Sequence, residues 1–251
     1  MRWSIGIVCV IATCGCAAAK SAKTQAAAAT PPTATVQTTT PAMVHVEKPP
    51  TVTREQWGST PQPMPDSRRH TPKYITIHHA GVEWKTGRDP AAFVKTMQTW
   101  GQKEKGWPDL AYHFMIAPDG RIFEARPIEY EPESNTRYAL QGHIGVELMG
   151  NFETQRPSEA QLRSTVALVA WLCQDLKIDP SEIAGHKDRA EGQTVCPGKD
   201  FYRYLQDGEF VGWVRQTLAG KTPDVKPGPP LPGGPTVVIN TTPSTEPSEK
   251  E

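Results

Sequence analysis

Between residues 51 and 218 the chain switches repeatedly between two hydrophobic periods, and outside that span it keeps neither. Apolar Ile75 and Ile77 alternate with Tyr74, Thr76 and His78, the two-residue period of a short strand that delivers His78 at its end. Ile183-Ala184-Gly185 is a second short apolar run, leading directly into His186. Asp89 before Pro90 is an N-cap followed by proline at the first helical position. Phe93, Met97 and Trp100 then recur at helical spacing as a core-facing stripe. The stretch from Ala111 to Ala125 divides around Pro118-Asp119-Gly120 into two short strands, a hairpin signal. Ser158 and Gln161 form a capping box ahead of the stripe Leu162, Val166, Val169, Cys173 and Leu176, in which Cys173 reads as a packing residue. A last helix over part of Phe201 to Leu218 should turn Phe210, Trp213 and Val214 inward. Strands interleaved with helices predict an α/β fold, a single domain with a central mixed β-sheet flanked by helices.

The ends differ in kind. Residues 17–50 are almost entirely Ala, Thr, Pro, Lys and Gln, and residues 219–251 are rich in Pro, Gly and Thr, so neither stretch is expected to bury a core. The expected organisation is a signal segment over 1–16, a disordered tether over 17–50, a folded domain over 51–218 and a disordered tail over 219–251. Met1-Arg2 followed by an apolar run to Ala12 has signal-peptide proportions and is too short for a comfortable membrane span. It runs into Thr13-Cys14-Gly15-Cys16-Ala17, which looks like a lipoprotein cleavage box with Cys16 as preferred lipidation site and Cys14 as the alternative. A plain secretory signal cut near Ala17 to Ala19 is the third reading. The chain is thus expected in the cell envelope or periplasm, held to a membrane by lipid.

With 27 basic and 27 acidic residues the net charge is zero, which gives no basis for nucleic-acid binding. Of five cysteines, three lie in the signal region, leaving Cys173 and Cys196. A disulfide between them is disfavoured, because Cys196 has a better use. The His78-His79 pair at a strand end, His186, and Cys196 ten positions later can supply two imidazoles and one thiolate to a single metal. That is the ligand count of a catalytic zinc with one open position, whereas a structural zinc site needs a fourth protein ligand.

These segments carry a resemblance that runs from about Thr53 to Leu218. Arg54-Glu55-Gln56-Trp57-Gly58, Ile77-His78-His79, Gly106-Trp107 with Ala111-Tyr112-His113-Phe114, Pro118-Asp119-Gly120-Arg121, Ile144-Gly145-Val146-Glu147 with Gly150-Asn151-Phe152, and Gly185-His186-Lys187-Asp188 with Thr194-Val195-Cys196-Pro197 follow one another in a family's order. The chain resembles the zinc-dependent N-acetylmuramoyl-L-alanine amidases, which share a fold with phage lysozyme-type amidases and animal peptidoglycan recognition proteins. One stretch departs: Pro132 to Tyr138, through His143, stands where relatives often carry a Gly-x-His segment that helps to line the groove.

The resemblance implies Zn²⁺ held by His78, His186 and Cys196, with His79 packed or hydrogen-bonded beside the site. It implies Glu147 as general base, Tyr112 near the attacking water and Thr194 steadying the developing oxyanion. The implied partner is peptidoglycan or a muropeptide, and the protein is expected to be a monomer. From alternation alone, Glu147 could equally be an outward-facing strand residue. The alternative function is a non-catalytic peptidoglycan-binding receptor on the same fold; such receptors typically lose the cysteine ligand, which is present here as Cys196.

Overall fold

The structure, a computed structural model, describes residues 44–241. The signal segment, both candidate lipidation cysteines, most of the expected tether and residues 242–251 lie outside the described residues.

Six strands form the centre: β1 (Thr51–Val52), β2 (Tyr74–His79), β3 (Phe114–Ile116), β4 (Ile122–Glu124), β5 (His143–Leu148) and β6 (Ile183–Gly185). Their order is β1-β4-β3-β5-β2-β6. The β3–β4 hairpin is antiparallel and every other pairing is parallel, which makes the sheet mixed, as the alternating pattern predicted. Strands β2 and β5 lie in the middle and are covered on both faces, so Ile75, Ile77, Ile144, Val146 and Leu148 expose nothing.

Register fixes the site. Thr76 pairs with Gly145 and His78 with Glu147, so these four residues share one face of the sheet, with His78 and Glu147 side by side at the carboxyl ends of their strands. Gly185 of β6 pairs with Ile77, which brings the following residue, His186, up beside His78. Glu147 therefore faces inward among the site residues, with no exposed surface, and is not the outward strand position that alternation allowed.

The helices follow their caps. Helix α1 (Pro90–Lys105) begins where the Asp89 carboxylate accepts from the amides of Ala91 and Ala92. It ends at Gly106, whose φ of 67° is the left-handed C-cap conformation. Its stripe is less buried than predicted: Phe93 is in the core, Met97 only partly so, and Trp100 is 38% exposed. Helix α2 (Glu159–Asp175) starts with Ser158 Oγ accepting from the Gln161 amide at 3.0 Å. The predicted capping box is only half formed, because the Gln161 side chain donates instead to the carbonyls of Ile116 and Met149. The Ile116 carbonyl also accepts from the Met149 amide, whereas the Met149 carbonyl, just beyond the end of β5, finds its donor in Gln161. After a single turn, α3 (His186–Arg189), the predicted last helix proves to be two, α4 (Lys199–Gln206) and α5 (Glu209–Leu218). They are separated by Gly208 at φ 78°, and Phe210, Trp213 and Val214 are buried as expected.

Described contacts extend to either side of residues 51–218. Before residue 51, Val46 donates its amide to Gln174 Oε1, Gln174 Nε2 donates to the Val44 carbonyl, and Lys48 pairs with Glu124. After residue 218, Val225 and Ile239 are 2% and 3% exposed; the Ile239 amide donates to the Arg156 carbonyl, and the Arg156 amide donates to the Val237 carbonyl. A lone apolar residue in a proline-rich stretch has no period to betray it, yet one such side chain can dock into a crevice of a finished core.

Candidate metal centre

Three differently built segments converge on the carboxyl end of β2. The strand holds His78 rigidly, β6 hands the chain to α3 with His186 as its first residue, and the loop ahead of α4 carries Cys196. One ligand atom from each of His78, His186 and Cys196 lies within 4.8 Å of the others, and all three residues are buried. Cys196 Sγ is 3.7 Å from His78 Nδ1. A tetrahedral zinc with usual bond lengths separates a sulfur and a nitrogen ligand by about 3.6 Å, so this spacing fits the ion closely.

Hydrogen bonds from the surroundings hold these side chains in place. The His79 amide donates to Cys196 Sγ at 3.3 Å, and the Lys187 amide donates to the Cys196 carbonyl, tying the loop to α3. The His79 ring accepts at Nδ1 from the Phe152 amide at 3.1 Å, which makes it a hydrogen-bonded neighbour of the site. Thr136 Oγ1 lies 2.6 Å from His186 Nε2, with Ser134 Oγ at 3.3 Å from the same nitrogen. Those two hydroxyls were not picked out from the sequence, and they sit in the stretch that departs from the family resemblance.

Burial sets the protonation states. It pushes His78 well below the usual imidazole range and His79 and His186 down to about 4, so at neutral pH all three rings are neutral, the form that binds metal. It pushes the Cys196 thiol far up, so a thiolate there needs a cation beside it. Glu147 rises to about 8 through burial, opposed in part by the nearby Tyr112 hydroxyl. Neither of its carboxylate oxygens has a hydrogen-bond partner of good geometry. A buried carboxylate without partners, beside three ligand-type side chains, is the arrangement a dication would relieve, and bound charge would return Glu147 to its ionised form. Tyr112, its ring 4.9 Å from that of His78, is held well above its ordinary pKa by burial and by Glu147, and so remains a hydroxyl donor. Thr194 is half-buried on the wall, and its Oγ1 accepts from the Cys196 amide at 3.1 Å, which leaves its proton available to donate.

His78, Tyr112, His186, Thr194 and Cys196 line a polar cavity of about 330 Å³. A larger apolar hollow of about 710 Å³ runs along α1 past Val82, Phe93, Met97 and Trp100, and both reach Ala80.

Residues 68–199, more than half of the chain, match the family model described as N-acetylmuramoyl-L-alanine amidase. Peptidoglycan recognition protein 1 of Mus musculus is 26% identical over 160 residues, covering 63% of this chain and 87% of its own. Its counterpart in Bos taurus is 29% identical over 163 residues, covering 62% and 82%. Among solved structures, the amidase LysC of Clostridium intestinale superposes with a TM-score of 0.53 at 25% identity, over 64% of this chain and 97% of that one. Drosophila PGRP-LB does so with a TM-score of 0.55 at 25% identity, over 62% and 92%. With its mixed sheet flanked by helices in common with these structures, the chain belongs to the N-acetylmuramoyl-L-alanine amidase family.

Proposed function

We propose that the protein is a zinc-dependent peptidoglycan hydrolase that cleaves the amide between the lactoyl carbonyl of N-acetylmuramic acid and the L-alanine of the stem peptide. The observation that carries this reading is the convergence of His78, His186 and Cys196 next to the partnerless Glu147 carboxylate. Three protein ligands leave a tetrahedral ion one open position, the mark of catalytic rather than structural sites. Zinc held there would polarise the scissile carbonyl and acidify water.

The chain's own groups supply the rest. Ionised Glu147 takes a proton from the attacking water and passes it to the departing alanine nitrogen. Tyr112 and Thr194 hydroxyls donate toward the oxygen on which charge develops, a contact worth roughly 3 kcal/mol in other hydrolases. His79, neutral and turned toward the Phe152 amide, takes no proton in this scheme. The apolar hollow along α1 extends the cavity and receives more of the polymer than the scissile bond alone.

The full cysteine and hydroxyl set favours the enzyme over a receptor on the same fold. The test is release of free stem peptide from purified cell wall, run beside binding to the same wall. Binding without release would identify a receptor.

We also infer export and lipid anchoring through Cys16, with Cys14 the alternative. Separate Cys14→Ser and Cys16→Ser substitutions followed by membrane fractionation test the anchor. A double variant still in the membrane fraction, or a wholly soluble wild type, would rule it out and leave the amidase reading standing.

A further inference from the structure

The loop from Glu131 to Tyr138 has no regular secondary structure, yet it is held at both ends. Glu133, 8% exposed, takes Arg126 Nη2 on one carboxylate oxygen at 3.3 Å and Arg68 Nη2 on the other at 3.1 Å. Arg126 is itself only 2% exposed and donates Nε to the Leu110 carbonyl at 2.7 Å, so this anchor belongs to the body of the protein. At the other end, Arg137 and Gln193 exchange two hydrogen bonds: the Arg137 amide donates to Gln193 Oε1 at 2.8 Å, and Gln193 Nε2 donates to the Arg137 carbonyl at 3.0 Å. Gln193 stands three positions before Cys196. The loop is thereby clasped to the segment that carries the cysteine. Tyr138 closes the arrangement by packing its ring against those of both His143 and His186.

Between these anchors the two hydroxyls meet one atom. Thr136 Oγ1 is 2.6 Å from His186 Nε2, Ser134 Oγ is 2.9 Å from Thr136 Oγ1, and the Thr136 amide donates to Ser134 Oγ at 3.1 Å. Proton directions follow if Nε2 carries the ring proton: Nε2–H donates to Thr136 Oγ1, whose own proton is free for Ser134 Oγ. The lone pair of His186 is then left on Nδ1. An imidazole whose Nε2 were the ligand atom could not also face a hydroxyl oxygen at 2.6 Å, since that nitrogen has only one position to give.

We propose that Thr136, seconded by Ser134, is the positioning residue that fixes His186 as its Nε2–H tautomer and aims Nδ1 at the metal. The inference rests on the zinc reading above. Ligating histidines generally send their second ring nitrogen to a carboxylate, carbonyl or water, and loss of such a partner costs 10- to 100-fold in metal affinity or activity. Here a threonine hydroxyl takes that place, in the stretch of chain that departs from the family pattern.

The test uses the whole protein and reads zinc directly. Zinc dissociation constants, from competition with a chelator of known affinity, are measured for wild type, Thr136→Val, Thr136→Ser and Ser134→Ala. Thr136→Val keeps the side-chain shape without the hydroxyl and should weaken zinc on the order of 10- to 100-fold. Thr136→Ser should restore wild-type affinity, which a purely steric role for the threonine methyl would not allow. Ser134→Ala should give a smaller loss. In ¹⁵N-imidazole spectra of the zinc-loaded wild type, His186 should be protonated at Nε2, and that proton should shift in Thr136→Val. Equal zinc affinity in wild type and Thr136→Val, failure of Thr136→Ser to recover it in a folded protein, or ligation through Nε2 would each overturn the proposal. A wild type that binds no zinc would instead overturn the functional reading on which it rests.

Discussion

The most demanding residue is Glu147, because it sits on a central strand with no exposed surface and no hydrogen-bond partner for either oxygen. Such a group is costly to the empty fold, and a hydrophobic replacement at a plain strand position would remove the cost. Its presence makes sense if the protein needs a carboxylate beside His78. Glu147→Gln, nearly identical in shape, should keep zinc and lose on the order of 10² to 10⁴ in rate. Should Tyr112→Phe show that loss while Glu147→Gln stays near wild type, the assignment of Glu147 as the base is wrong. The ligand-type residues were legible in the sequence because each sits next to a structural signal: His78 at the end of an alternating strand, His186 after an apolar run, Cys196 in a polar loop. Thr136 and Ser134 were not. Their contact with His186 depends on how a loop without period is pinned by Arg126, Arg68 and Gln193, and pinning by residues far along the chain leaves no local trace.

Elements with a local start signal were read correctly: Asp89-Pro90 opens α1, Ser158 caps α2, and Pro118-Asp119-Gly120 turns the β3–β4 hairpin. What a cap cannot report is the use made of a face. Trp100 keeps helical spacing with Phe93 but points out over the apolar hollow, where we expect it to contact substrate. Trp100→Ala should therefore raise KM on polymeric wall while leaving kcat within about twofold, the signature of binding shared by ground and transition states; a fall in kcat at unchanged KM would contradict that role. The join between the Cys196 loop and α4 depends on Gly198. It sits at φ 84°, and a Cβ there would come within 2.5 Å of the Phe152 carbonyl carbon and 2.8 Å of His79 Nδ1. Gly198→Ala should destabilise the fold by at least ~1–3 kcal/mol and weaken zinc by disturbing His79, measurable as a shifted denaturant midpoint and a raised zinc dissociation constant.

Across the molecule, pH links the fold to its buried rings. His70, His113 and His143 are not among the three ligand-type residues, and burial lowers all of them, His113 to about 3 and His143 to about 4. His70 and His113 each accept a backbone amide on Nδ1 and face a carbonyl with Nε2, bonds that suit the neutral ring. In the unfolded chain these groups titrate near 6.5, so below that pH the unfolded state binds more protons and stability falls as pH drops toward about 3. Glu147, raised to about 8, works in the opposite direction between its unfolded range and pH 8. The histidine effect is therefore best seen in metal-free Glu147→Gln, whose urea midpoint should fall steadily from pH 6.5 to 4; a flat or rising midpoint would contradict it. At this scale the mixed sheet and much of the core were legible from alternating periods, while the strand order and the chain ends were not, since pairing is set by contacts far apart in sequence and Val225 and Ile239 are single anchors within proline-rich sequence. The claim that organises all of these levels is that His78, His186 and Cys196 hold a catalytic zinc. The most direct measurement is zinc content together with stem-peptide release for wild type and Cys196→Ala. A zinc amidase predicts one zinc per chain and release by wild type, with both lost in the variant; a zinc-free wild type that still releases stem peptide, or a fully active Cys196→Ala, would contradict it.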